Sequence, residues 1–370
     1  MAPTLVCCAA PIGYGPATKL ATLAGALRGH GLRPVFLGEG SALEAARRST
    51  VFDDVLTGPG DAPAVRAAID ASAGLLSLME REHLAVAQRR GRPTFVVDSL
   101  LWMRDHVPPA FRAATRYWAQ DFVGVRGRAA GLATVIGPVV PPTAAPRVHG
   151  AGLVIALGGT ASPFGDAAAD GAWLDLLVEA VVDAGLVASF AGRAVCMASE
   201  PCRARLAARH AGRGITFTSL APAAAARLLA SAAFVLAAPG LTTALECFQL
   251  GVPTGFLPPL GYSQWLILEA LRAQGLAPHA FHWADRLPPE SIVVGMPEAG
   301  RTERVRALVR PRLHDAETRR GLRAALRAMC EGDLAALAAR QHAFFAALGP
   351  NAVGAIARDI AALCADGGRA

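Results

Sequence analysis

Short apolar segments alternate with longer segments of helical periodicity along most of the chain. Uninterrupted apolar strands that alternate with helices are typical of a parallel sheet covered on both faces. The first part of the chain predicts strands at 4–9, 33–37, 54–56, 75–78, 94–97, near 117–123 and near 134–136, with helices at 17–29, around 41–49, 62–71, 81–90 and 109–114. The pattern therefore predicts an α/β fold.

A proline-rich segment at 137–146 interrupts this alternation. Proline cannot continue a helix or a central strand, so we interpret 138–147 as a stiff linker. The alternation then restarts, with strands predicted at 152–157, 187–191, 215–218, 234–237 and 252–256, helices at 173–184, 200–210, 223–230, 241–249 and 263–274, a short helix running into a strand at 288–294, and helices throughout 301–363.

This organisation predicts two doubly wound, Rossmann-like domains at 1–140 and 148–345, with an inter-domain cleft. A C-terminal helix at about 345–370 is a candidate to pack back on the first domain. Ligands of such sheets bind beyond the carboxyl ends of the strands. We therefore expect the chemistry in the loops that follow the strands.

The composition excludes several classes of protein. Of the 370 residues 53% are apolar and 18% are charged, which is enough apolar material for a core and argues against disorder. The net charge is +7, but only 6% of the residues are aromatic and no basic stripe alternates with stacking rings. Nucleic-acid binding is therefore not expected.

Cysteine usage and hydropathy favour a soluble cytoplasmic protein. The seven cysteines form no C-x-x-C pair, which favours reduced thiols, and no basic segment precedes the first apolar run. The uncharged segment 228–245 has the length of a membrane span, but Pro239 and Gly240 interrupt it. No cluster has metal-ligand spacing, so neither a metal nor a cofactor is expected.

The strongest local motif is the segment 237–246, in which an apolar strand meets Pro239-Gly240 and a helix begins at once. The free N–H groups of a first helical turn and the helix dipole together favour phosphate. Glu246 follows about one turn later, where its carboxylate is placed to accept hydrogen bonds from a ribose. An ordinary helix cap with a surface glutamate is the alternative interpretation.

Two further segments support the phosphate interpretation. Residues 157–162 form a second turn from a strand into glycines, and residues 255–265 place Ser263 and Gln264 at a helix start. Hydroxyl and amide groups bind sugar hydroxyls. The order of these three segments is more specific than any one of them.

With these motifs, the carboxy-terminal half resembles the nucleotide-sugar-binding domain of GT-B glycosyltransferases, in the branch of the lipid II N-acetylglucosamine transferase and the antibiotic glycosyltransferases. The resemblance covers most of residues 150–280 and, in layout, the whole chain. It implies a UDP-sugar site with Gly240, Leu241, Thr242 and Thr243 at the diphosphate, Glu246 at the ribose, Gln264 at the donor sugar, Ser219 and Leu220 at the uracil, and Gly159 and Thr160 in a loop facing the phosphate or the acceptor.

The amino-terminal half matches the family less closely. Its first loop contains Gly13, Tyr14 and Gly15, and the histidine that acts as base in many relatives is missing. This loop and the segment 97–102 look similar to cytosylglucuronate synthases, which join glucuronate from UDP-glucuronate to cytosine. The narrower resemblance implies a pyrimidine acceptor.

Besides Gly13 and Gly15 of the first loop, five residues of this half are candidates for the acceptor site. Asp98 ends a predicted strand, so it is expected to project into the cleft as a general base, with a turn cap as the alternative. Tyr14 and His106 are the other candidate bases. Lys19, the single lysine, is expected to meet a phosphate or a uronate, and Trp102 to stack on a planar acceptor; a surface lysine and a core tryptophan are the alternatives.

The favoured function is transfer of a sugar from a UDP-sugar to a small polar acceptor, with inversion and without a metal. A UDP-sugar epimerase and a non-catalytic nucleotide-sugar-binding partner of another enzyme are alternatives. An NAD(P)-dependent oxidoreductase is a further alternative, because Gly13, Gly15 and Glu39 resemble part of a dinucleotide fingerprint. The sequence leaves the oligomeric state open.

Overall fold

The structure is a computed structural model that describes residues 2–142, 150, 152–158, 167–287 and 298–366. The chain divides into two compact units. The first comprises Met1–Pro142 and Ala346–Ala370, and the second comprises Thr143–Phe345. The predicted helix or strand at 288–294 lies outside the described residues, as does the end of the predicted linker.

The first unit contains a parallel sheet of seven strands in the order β3-β2-β1-β4-β5-β6-β7. Its strands are β1 (Thr4–Ala9), β2 (Arg33–Leu37), β3 (Asp54–Leu56), β4 (Gly74–Leu78), β5 (Thr94–Asp98), β6 (Arg116–Gln120) and β7 (Thr134–Ile136). The helices between them are α1 (Gly15–Gly29), α2 (Gly40–Arg47), α3 (Pro63–Asp70), α4 (Glu82–Arg89), α5 (Pro109–Arg112) and α6 (Val125–Ala129).

The second unit contains a parallel sheet in the order β10-β9-β8-β11-β12. Its strands are β8 (Gly152–Ala156), β9 (Ala194–Met197), β10 (Ile215–Thr218), β11 (Ala232–Ala237) and β12 (Thr254–Phe256). Its helices are α7 (Ala167–Asp183), α8 (Leu186–Ser189), α9 (Glu200–Arg209), α10 (Pro222–Ala230), α11 (Leu241–Gln249), α12 (Tyr262–Ala273), α13 (Glu298–Val309), α14 (Ala316–Glu331) and α15 (Leu334–Ala347).

Both faces of the first sheet are buried, as its apolar strands predict. Along β1, Leu5 and Cys7 pack into one hydrophobic cluster, whereas Val6 and Cys8 pack into another. Successive side chains of a strand point to opposite faces, so each strand contributes to both clusters. Because helices cover both faces, a ligand can reach the sheet only at an edge, and the loops that follow the strands lie at its carboxyl edge.

The last described helix, α16 (Val353–Asp366), belongs to the first unit and packs against α1. Its Ile356 and Ile360 are buried in the cluster that contains Leu5. A backbone hydrogen bond joins the residues just before α16 to the segment that follows β7: the N–H of Ala352 donates to the carbonyl of Pro138 at 2.9 Å. The C-terminal segment is therefore an integral part of the first sheet's core.

One strand prediction in the second unit is wrong. Residues 187–191 were expected to be extended, but they overlap α8, and the strand begins only at Ala194. Gly185, Ala191 and Gly192 have positive φ angles of 81°, 54° and 69°. These left-handed residues bound a short helix instead of an extended run.

Among the described helices, none combines the length and the apolar character needed to cross a membrane.

Candidate active site

Loops after four strands of the second sheet carry the predicted donor-binding residues. Gly158 follows β8, Ser219 and Leu220 follow β10, Gly240 follows β11, and the segment to Ser263 follows β12. Because the strands are parallel, these loops lie at one edge of the sheet. The chain order reverses between β8 and β11, the kind of position where doubly wound sheets bind ligands. Gly159 and Thr160 lie outside the described residues.

Helix α11 presents an open N-terminus at this edge. Gly240 is its N-cap, with extended backbone angles (φ −137°, ψ 127°), and no side chain caps the first turn. The first turn contains no acidic residue. A Cβ at Gly240 would have the Ala238 carbonyl oxygen as its nearest neighbour, at 3.7 Å, so the space beside this Cα is open. These N–H groups and the helix dipole suit an anion.

One face of α11 combines the polar residues of the motif. Thr242, Thr243 and Glu246 are partly exposed, whereas Leu245 and Phe248 are buried. Residues three and four positions apart are neighbours on a helix surface, so both threonines lie on the same face as Glu246. The helix therefore presents two hydroxyls and then a carboxylate along one line that begins at its N-terminus.

Gln264, predicted at the donor sugar, forms a hydrogen bond within the protein. Its side-chain Oε1 accepts a hydrogen bond from the backbone N–H of Leu260 at 2.8 Å, and the residue is 8% exposed. Its carbonyl oxygen therefore faces the protein's own loop. Ser263, one position earlier in the first turn of α12, is partly exposed.

The first loop of the amino-terminal unit turns sharply at Gly13, whose φ is 63°. The hydroxyl of Ser41 donates to the carbonyl of Gly13 at 2.8 Å, and Gly15 begins α1. The phenol of Tyr14 donates to Oε2 of Glu44 at 2.7 Å. The hydroxyl of Tyr14 is therefore engaged with a carboxylate of the same unit.

Lys19 is buried, at 1% exposure, on α1. Its ammonium group donates to Oε1 of Gln120, the last residue of β6, and the same oxygen accepts from the N–H of Val139 at 3.2 Å. This burial contradicts the alternative interpretation of Lys19 as a surface residue. The oxygen that accepts from its ammonium group belongs to a neutral amide of the same unit.

Asp98 does not project into open space as the sequence predicts. Its carboxylate is fully buried and accepts from Nε of Arg104 at 2.7 Å, from the N–H of Leu100 at 2.8 Å and from the hydroxyl of Tyr117 at 3.1 Å. Burial and the charge of Asp98 raise the pKa of Tyr117 well above its usual range. The alternative interpretation of Asp98, a residue that organises its own turn, fits this geometry.

The remaining acceptor candidates lie after β5. Trp102 is half-buried and packs against Phe122, with ring centroids 5.1 Å apart and a tilt of 57°. Phe122 was not among the predicted residues, although an aromatic residue two positions after a strand was an available signal. His106 is exposed. Phe122 is 3% exposed, so Trp102 and His106 are the two of these three side chains that are open to solvent.

Known structures with a similar architecture bind UDP. A UDP-glucose: anthocyanidin 3-O-glucosyltransferase in complex with UDP matches at a TM-score of 0.54 with 11% identity, over 99% of this chain and 99% of that chain. UGT89C1 of Arabidopsis thaliana complexed with UDP matches at 0.51 with 13% identity, over 94% and 99%. The chain has the GT-B fold. No protein-family model and no curated protein matches the sequence.

The turn after β4 in the first unit was not predicted from the sequence. The first sheet reverses its order between β1 and β4, and Met79 directly after β4 has a φ of 62°. The next residue, Glu80, accepts from the N–H groups of Glu82 at 2.6 Å and His83 at 3.0 Å. Non-glycine residues in this conformation are strained, and they occur often at ligand sites. The residue types of the segment 79–82 do not predict a left-handed residue.

Proposed function

We propose that this protein transfers a sugar from a UDP-sugar to a small polar acceptor. The observation that carries the proposal is the uncapped N-terminus of α11, with Thr242, Thr243 and Glu246 on one face, at the reversal point of a sheet in a GT-B fold. The diphosphate would lie against the N–H groups of the first turn, and the ribose against Glu246. UDP is a leaving group whose charge grows as the glycosidic bond breaks, so fixed dipoles at its phosphates stabilise the transition state.

The finer proposal is inverting, metal-independent transfer of glucuronate from UDP-glucuronate to cytosine or a cytosine derivative. It rests on the resemblance of residues 12–19 and 97–102 to cytosylglucuronate synthases. The half-buried ring of Trp102, packed against the buried Phe122, supports a planar acceptor, because aromatic faces stack on flat rings. For the acceptor proton we propose His106, since Asp98 and Tyr14 are engaged with other groups of the protein.

The test is mass spectrometry of the products after incubation with a panel of UDP-sugars and acceptors that includes UDP-glucuronate and cytosine. A product whose mass equals that of cytosine plus one glucuronosyl group supports the finer proposal. A sugar transferred to another acceptor supports only the general one. A UDP-sugar isomer without transfer identifies an epimerase, and thermal stabilisation by NAD(P) but not by UDP identifies an oxidoreductase. Binding of UDP with no turnover of any donor identifies a non-catalytic partner.

Replacing Glu246 by Ala is expected to weaken UDP binding by about 1.5–3 kcal/mol, because charge-assisted hydrogen bonds to the ribose are lost. Glu246 is partly exposed, so the fold is expected to persist. Calorimetric titration with UDP measures the effect. Gln249→Ala on the same helix is the matched control and is expected to bind UDP like the wild type. Unchanged UDP affinity in a folded Glu246→Ala protein contradicts the assignment.

Replacing both Thr242 and Thr243 by Val is expected to raise the Kd for UDP about tenfold, because the hydroxyls of the first turn face the diphosphate. Uridine, which has no phosphate, is expected to bind within roughly twofold of the wild type. The comparison of UDP with uridine on one variant isolates the phosphate contacts. Equal losses for both ligands place the phosphates elsewhere.

A further inference from the structure

The loop between β12 and α12 is buried although it lies at the carboxyl edge of the sheet. Leu257 and Leu260 are 0% and 4% exposed, and Pro258 and Pro259 between them are also buried. Buried backbone N–H and C=O groups need hydrogen-bond partners, and a loop has no ladder to supply them. The partners of this loop therefore decide its conformation.

Two side chains supply these partners from opposite sides. The indole N–H of Trp283 donates to the carbonyl of Pro259 at 2.7 Å, and the backbone N–H of Leu260 donates to Oε1 of Gln264 at 2.8 Å. Trp283 is 0% exposed, so its ring is fixed by packing, with Phe281 at a centroid distance of 5.1 Å. One bond on each side of a single peptide unit leaves the loop little freedom to rotate.

The residue before Trp283 contacts the first turn of α12, which directly follows this loop. The ring of His282 lies 4.5 Å from that of Trp265, and its Nε2 is 3.3 Å from the Trp265 carbonyl. Its Nδ1 accepts from the N–H of Ala284 at 3.0 Å, so the proton of the neutral ring is on Nε2. Burial lowers the pKa of His282 to about 4, which keeps the ring neutral at physiological pH.

We infer that Trp283 is a positioning residue for the donor sugar. The inference rests on the proposed function and adds to it that Ser263 and the start of α12 face the sugar of the UDP-sugar bound at α11. Trp283 itself is buried beneath the loop and reaches the ligand only through the backbone of residues 257–261. Strand β12 is the neighbour of β11. The loop that follows β12, which Trp283 orients, therefore lies next to the loop that follows β11, where we propose that the phosphates bind. The sugar and the UDP contacts are thus held by separate elements.

This separation predicts a selective effect. In Trp283→Phe the ring persists and the donor to Pro259 is lost, so the loop relaxes while α11 is untouched. The Kd for UDP is expected to stay within roughly twofold, and the ratio of the Kd for the UDP-sugar to that for UDP is expected to rise about tenfold, the value of one buried hydrogen bond. A residue with only a structural role lowers stability without changing this ratio.

The experiment titrates UDP, UDP-glucose and UDP-glucuronate into the wild type and two variants by calorimetry. Trp173→Phe is the matched control, because Trp173 is also fully buried in the same unit and its indole N–H has no acceptor among the described residues. Its ratio is expected to equal that of the wild type. Gln264→Met, which removes the bond on the other side of the peptide, is expected to raise the ratio as Trp283→Phe does.

The outcomes separate the two proposals. A wild type that binds neither UDP nor either UDP-sugar overturns the proposed function itself. A wild type that binds them, with an unchanged ratio in Trp283→Phe or an equal change in Trp173→Phe, overturns the positioning role and leaves the proposed function standing. If Trp283→Phe does not fold, the ratio in Gln264→Met decides the question in the same way.

Discussion

Replacing Asp98 by Asn is expected to lower the free energy of unfolding by about 3–5 kcal/mol, the usual cost of removing one partner from a buried ion pair. The carboxylate is 0% exposed and Arg104, its partner at 2.7 Å, is 13% exposed. An amide of the same shape cannot neutralise this guanidinium, and it turns an N–H₂ group toward donors. Urea unfolding measures the loss.

The control is Asp53→Asn in the same unit. Asp53 pairs with Arg28 at 3.0 Å, but these side chains are 25% and 44% exposed. Exposed pairs contribute little, so the change is expected to cost less than about 1 kcal/mol. A stable Asp98→Asn protein whose turnover falls 10²–10⁴-fold, on the order of the loss when a general base is removed, contradicts the structural role and restores Asp98 as the base.

Replacing Gln341 by Met is expected to lower the free energy of unfolding by about 3–6 kcal/mol, because three buried backbone groups lose their hydrogen-bond partner at once. Gln341 lies on α15 and is 0% exposed. Its Oε1 accepts from the N–H of Thr254 at 3.0 Å, and its Nε2 donates to the carbonyls of Thr254 and Leu276, both at 2.8 Å. The amide thus pairs with edge strand β12 as a neighbouring strand would.

Gln274→Met, an exposed change of the same chemistry at the end of α12, is the control and is expected to leave the midpoint of urea unfolding almost unchanged. Because β12 leads into the loop that Trp283 holds, Gln341→Met is also expected to weaken UDP-sugar more than UDP. A variant as stable as the control shows that water or a rearranged side chain replaces all three hydrogen bonds.

The two sheets could be predicted from the sequence, because strands that are buried on both faces consist of uninterrupted apolar runs, and such runs are typical of parallel sheets. The bounds of β3 and β7 agree with the prediction to the residue. The strand predicted at 187–191 was wrong because a mostly apolar run between two glycines has the composition of a strand. Left-handed residues on both sides of the run make it a single helical turn instead. In this segment the backbone angles of the flanking residues, and not the composition, determine the secondary structure.

The candidate site was predicted unevenly for a physical reason. The helix start after Gly240 could be predicted, because a glycine and the first turn of a helix are close in sequence and their spacing along the chain reveals them. Asp98 and Lys19 depend on partners distant in sequence, since Lys19 meets Gln120 across 101 residues. A single sequence shows that Lys19 is charged but not that it is enclosed. Trp283, which binds the loop after β12, and Gln341, which binds β12 itself, were not predicted for the same reason.

The placement of α16 has a consequence for synthesis on the ribosome. Domains generally fold as units in the order in which they emerge, the amino-terminal one first. Here the first unit includes Ala346–Ala370, and Ile356 and Ile360 fill the cluster beside β1 and α1. The second unit is one continuous stretch of chain and is complete before α16 has been made. The unit whose strands are translated first is therefore the last to close its core, and until then the face of α1 that α16 covers is available to chaperones.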